Sequence, residues 1–235
     1  MRSVCFLWFF CTCLAGMGAQ DPAQPPAQEA AKDDYKPDPA WKKLSDDLWL
    51  DTKTRTLIMR ARVCLREGYL EHLVCLDRTK EHESIMATQA TPRMIHAGLI
   101  LVAGDPGSAV KYRPKFQAPT GPKVQIEIEY EENGKLKKAD ARSWVKANDT
   151  GKALETNWVF AGSEFFQDPD TKKTVYGADG GDLITVANFP TAILDLPIAS
   201  SNSDAERGFT AFSDHIPARG TPVTIFIRAE APAAK

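Results

Sequence analysis

The sequence predicts an α+β fold, with a mostly antiparallel sheet packed against one main buried helix and with long irregular loops. Three observations predict it. Short runs rich in β-branched and aromatic residues end in glycine or asparagine turns, the pattern of consecutive antiparallel strands. One stretch, Met94 to Val102, is apolar nearly all round, as a helix buried against a sheet must be. Between Phe189 and Pro217 neither the strand period nor the helix period is visible, which marks a long irregular segment.

Asp38-Pro39 supplies a helix N-cap and first position, with Trp41, Leu44 and Leu48 on one helical face. Residues 57–65 and 69–76 read as two strands, and Glu67-Gly68 between them predicts a hairpin. In that register Val63 faces His72 and Arg60 faces Cys75, leaving one apolar face and one more polar face. Cys64 and Cys75 then lie about 13 Å apart along the pair, beyond the roughly 7 Å that a disulfide spans between Cα atoms, so both are expected as free thiols. Thr91-Pro92 opens the buried helix, and Gly104 and Pro106 stop it. Val124 to Tyr130 alternates strictly, and Asn133-Gly134 turns it into a second hairpin returning from Leu136. Further strands are expected at 157–162, 174–177, 182–188 and 221–228.

The N-terminus has Arg2, an apolar run from Val4 to Leu14, and small residues from Ala15 to Ala19, which together predict a cleavable secretory signal over 1–19. The run is too short for a permanent membrane span. Met17 stands where a lipid-accepting Cys would follow the small residues, so a free exported protein, periplasmic or secreted, is expected. Residues 20–37 are Gln, Ala, Pro and charge, a disordered spacer; 38–229 form one globular domain; 230–235 are a disordered tail. Cleavage removes one basic residue and no acidic one from a chain of net charge -2. Without a basic cluster, nucleic acid is excluded as a partner, and an envelope protein is the partner class left open.

The densest polar constellation is Lys80-Glu81-His82-Glu83-Ser84. A neutral imidazole with carboxylates suits zinc or a similar ion, which makes His82 and Glu83, with His96 from the helix, the candidate metal ligands. Glu71 is a further carboxylate within reach. Cys75 or Ser84 is a candidate nucleophile if a His approaches it. The competing reading has these side chains binding loop backbone, and His96 as a satisfied core residue. No complete catalytic motif is present, so whether the chain is an enzyme stays open.

Several segments resemble the YdjY-like domain family of exported bacterial proteins, in the form associated with planctomycetes. They are VCLREGYLEHLVC (63–75), KEHESI (80–85), IHAGLILVAGDPG (95–107), WVFAGSEFF (158–166), YGADGGDLITVANFPTAILDLPI (176–198) and IPARGTPV (216–223). The resemblance carries no established reaction or ligand. It implies that Glu71, Cys75, Lys80, Glu81, Ser84 and the three candidate ligands belong to shared motif regions. A ferredoxin-like label used for some relatives does not suit this chain, whose expected mature domain has two Cys where an iron-sulfur cluster needs about four. The expectation is an exported, non-enzymatic binding or structural module; the alternative is a metal-binding or metal-dependent protein centred on Lys80 to Ser84 and His96.

Overall fold

The structure is a computed structural model that describes residues 35–200 and 208–230. The expected signal, the expected spacer up to residue 34 and the expected tail beyond Glu230 lie outside the described residues.

In chain order the strands are β1 (Lys42–Ser45), β2 (Leu48–Asp51), β3 (Thr56–Val63), β4 (His72–Leu76) and β5 (Ser84–Thr88). The helix α1 (Pro92–Ala103) follows. Then come β6 (Lys123–Glu132), β7 (Lys135–Asp140), β8 (Val145–Ala147), β9 (Trp158–Phe160) and β10 (Phe165–Gln167). The remainder are β11 (Thr174–Tyr176), β12 (Asp182–Thr185), β13 (Leu194–Asp195), β14 (Phe209–Ala211) and β15 (Pro222–Ala229). Eight of them pair in the order β3-β15-β6-β9-β13-β12-β4-β5, and β5 pairs back onto β3 through Arg62↔Ala87 and Val63↔Met86, closing a barrel. The first half of β3 also pairs with β2, and β7 pairs with β6, so both extend the sheet beyond the ring.

Pairing is uneven. β15 meets β3 and β6 over seven residue pairs each. By contrast β6 meets β9 over two pairs, and β12 meets β13 at one. Alternation along the long strands sends Leu57, Met59, Ile126, Ile128, Ile225 and Ile227 into the main core. It sends Ile58 and Phe226 to the other face, where Trp49, Tyr35 and Trp41 cover them.

This architecture corrects the α+β expectation. Among the described residues the chain is mostly β, a closed barrel with one short α-helix, rather than a sheet packed against a main helix. The physical reason lies in β5. Its SIMAT run is buried at every position, so it has no polar face and no alternation to betray it beside the charged segment before it. Once β5 occupies the place between β3 and β4, those two strands are no longer a hairpin, and the register expected for them is wrong. β4 instead runs parallel to β5, with His72↔Ser84 and Cys75↔Ala87 as partners. The helix expected near 38–48 is the β1–β2 hairpin, turned at Asp47 with φ 58. The helix α1 keeps its expected bounds but not its all-round burial. Ile95, Gly98, Leu99 and Val102 face the core, whereas Ile100 and Leu101 are exposed. Gly98 lies against Leu57 and Leu44, where a Cβ would come within 2.5 Å of the Leu57 side chain.

The parallel β4–β5 pair has a local consequence. Parallel neighbours are ordinarily joined by a crossover of about a dozen residues or more. Here the chain returns through the short segment from Asp77 to Glu83, ending in a 3-10 turn at Glu81–Glu83. So short a return lays that turn beside the start of β4.

Candidate metal centre

At the start of β4, Glu71 and His72 meet Glu83 from the returning turn, and the Glu71 N–H donates to the Glu83 carbonyl at 3.1 Å. The end of β12 ties the same residue down, since the Val186 and Ala187 N–H groups both donate to the Glu71 carbonyl. A ring nitrogen of His72 and carboxylate oxygens of Glu71 and Glu83 all lie within 4.8 Å of one another. The backbone thus fixes three ligand-type side chains in one place.

His72 is fully buried. Its Nε2–H donates to Asp182 Oδ1 at 2.8 Å, and among the described residues its Nδ1 has no hydrogen-bond partner. Burial pushes its pKa below the ordinary imidazole value, outweighing the Asp182 contact that raises it. The ring is therefore neutral. A carboxylate can only accept, so the proton sits on Nε2 and Nδ1 carries a lone pair. Asp182 also receives Lys80 Nζ at 2.7 Å on Oδ1 and Thr191 Oγ1 on Oδ2. Burial pushes the Asp182 carboxyl up, but the His72, Lys80 and Thr191 donors together hold it far below the usual carboxylate range. Phe189 stacks on the His72 ring at 5.3 Å, and Lys80 Nζ sits 5.0 Å from the centre of the same Phe189 ring.

Among the motif residues, Lys80 serves Asp182, whereas Glu81 accepts from the Arg78 N–H at 2.6 Å and lies 3.4 Å from Arg62 Nη2. His82 is exposed, with Nε2 3.7 Å from Glu83 Oε2. Ser84 is buried, and among the described residues its hydroxyl makes no hydrogen bond. The structure does not bring His96 to this group. Its Nδ1 bonds the Tyr176 hydroxyl at 2.7 Å, and its ring meets Phe160 edge-on.

Cys75 lies on a different cluster with Cys64 and Ala87, all buried. The two thiols pack together in this cluster, which corrects the 13 Å separation expected from the hairpin register. Cys64 Sγ also donates to the Ser84 carbonyl at 3.0 Å. The contact with Cys75, reinforced by burial, pushes the Cys64 thiol up, while the contact with Cys64 holds the Cys75 thiol below its ordinary value against burial. Both are free thiols. Among the described residues no His is hydrogen-bonded to Cys75 or Ser84, so neither has the base that a nucleophile requires. The open cavity of about 940 Å³ beside Tyr112, Leu154 and Phe209 is lined by none of the candidate residues.

Sequence reasoning missed His72 and Asp182, the pair at the centre of the arrangement. His72 had no visible partner because Asp182 lies 110 residues further on. The only local signal was a His next to Glu71 inside an otherwise apolar strand.

No curated protein and no solved structure matches the chain. The sequence model of the YdjY domain matches residues 48–228. That match covers β2 to β15, including all the strands of the barrel and each residue of the His72 cluster, and so the chain belongs to the YdjY domain family.

Proposed function

We propose that this protein is an exported metal-binding module, periplasmic or secreted, that holds one divalent ion between Glu71, His72 and Glu83. The observation that carries the reading is the buried, unpartnered Nδ1 of His72 beside two carboxylates. An acceptor buried without a donor costs about 1–3 kcal/mol. A cation satisfies this lone pair and is favoured by the two carboxylates beside it. Asp182 behind the ring is the usual companion of a metal-bound histidine, fixing tautomer and orientation together. One nitrogen and two carboxylate oxygens suit zinc, manganese or ferrous iron better than a soft cuprous ion. The apolar run at Val4–Leu14 behind Arg2 supports export. Among the described residues no helix is long and apolar enough to cross a membrane.

Elemental analysis of protein purified without chelator tests the reading. Wild type is expected to carry close to one equivalent of metal, or to take it up from dilute zinc, and His72→Gln to carry far less. Wild-type protein that neither contains nor binds a divalent ion rules the module out.

A further inference from the structure

We propose that His82 is the fourth ligand of this ion, closing a tetrahedral Glu2His2 shell of the zinc type. The inference rests on the metal-binding reading and gives that site an ion preference and an entry side. Three protein ligands leave a zinc ion with an open position, as in catalytic sites, whereas four close it. The side chains around the trio are already engaged: Asp182 by His72, Lys80 and Thr191, and Glu81 by Arg78 and Arg62, while Cys75 is buried against Cys64 and Ala87. Among the described residues the His82 side chain makes no hydrogen bond and is three-quarters exposed, and its polar contact is Nε2 at 3.7 Å from Glu83 Oε2. With bonds of about 2.0–2.1 Å, neighbouring ligand atoms of a tetrahedron are about 3.3–3.4 Å apart. The imidazole is therefore within a few tenths of an ångström of a ligand's distance from Glu83 Oε2, and to join the group its side chain must turn toward Glu71 and His72.

The burial pattern gives the order of events. His72 and Glu71 are buried and held by backbone and Asp182 before any ion arrives, whereas His82 is the exposed member. An ion enters from the His82 side, meets the preformed trio, and is capped by the imidazole from solvent. Because the closed shell keeps no position for a bound water, the centre holds or carries the ion rather than activating water for hydrolysis. The same geometry disfavours magnesium and calcium, which require six or more oxygen ligands.

Zinc competition titrations and cobalt(II) absorption spectra of the purified protein, wild type against His82→Ala and His72→Gln, test this. In wild type, one cobalt ion is expected to give the intense visible bands of tetrahedral coordination. In His82→Ala the stoichiometry is kept, the bands weaken as water replaces imidazole, and zinc affinity falls. The fall should exceed the roughly 10- to 100-fold seen when only a group behind a ligand is lost. His82 is exposed, so this variant folds. Unchanged affinity and spectrum in His82→Ala overturn the fourth ligand and leave the Glu71–His72–Glu83 reading standing. Wild-type protein that binds neither zinc nor cobalt overturns both.

Discussion

Asp182→Asn is the substitution that separates a metal centre from a buried polar network. The carboxylate takes His72 Nε2 at 2.8 Å and Lys80 Nζ at 2.7 Å on one oxygen, and Thr191 on the other. Asparagine keeps the shape, and its amide oxygen can still accept from both nitrogens, but the negative charge is gone. A hydrogen bond to a charged group contributes about 1.5–3 kcal/mol and a neutral one about 1, so weakening the two nitrogen bonds costs about 2 kcal/mol of folding stability. The same change makes Nδ1 less basic and loosens the ring, and such partners are worth about 10- to 100-fold in metal affinity. Urea unfolding with and without zinc reads both quantities. The stabilisation that zinc gives wild type should shrink in the variant by about 1.4–2.7 kcal/mol at saturating ion, beyond the loss seen in its absence. A variant that loses stability without zinc but gains as much from zinc as wild type refutes the role of Asp182 behind a ligand.

Other measurements probe separate parts of the molecule. His96→Ala should leave metal content unchanged by elemental analysis, because His96 is committed to Tyr176 away from the cluster. Asp195 is fully buried, and burial pushes its carboxyl up to about 7 despite donors from Asn188, Thr185 and the Leu196 and Phe189 N–H groups. A folded pKa above the unfolded one means stability is fully present below about pH 4 and falls by about 1.4 kcal/mol per pH unit between about pH 4 and 7. Urea melts across that range should show the slope in wild type and a flatter profile in Asp195→Asn. Gly121→Ala should destabilise by about 3 kcal/mol or more, since the residue has φ +149 and a Cβ would meet the Phe160 carbonyl oxygen at 2.1 Å. Thermal melting checks it. In protein beginning at Gln20, a thiol reagent should label Cys64 and Cys75 only after unfolding, because both are buried; rapid native labelling would contradict their packing.

Much of the local structure was legible in the sequence. The long alternating strand β6, its Asn133-Gly134 turn and the bounds of α1 follow from periodicity and turn chemistry, which act over a few residues. The charged turn at Lys80 to Ser84 stood out by composition, and one of its members, Glu83, does meet Glu71. Barrel closure was not legible, because it depends on β5 slotting between two strands that looked like a hairpin. The same error separated Cys64 from Cys75 on paper. His72 was hidden for a related reason: its character comes from Asp182, Phe189 and Lys80, which reach it only when distant segments assemble. A short fully buried strand carries no pattern to distinguish it from a loop or a helical turn.

The uneven pairing of the barrel divides the molecule into two mechanical halves. β3, β15 and β6 are bound to one another over seven residue pairs at each junction, and their central amides should exchange with solvent only through global unfolding. β9, β13 and β12 are held by one to three pairs each and should open in smaller local fluctuations. Asp182 and the backbone that ties Glu71 belong to that looser half, and the cluster lies where β4 joins it. An ion bound there acts as a clasp on the weaker arc, slowing amide exchange along β4, β5 and β12 while leaving the long strands as they were.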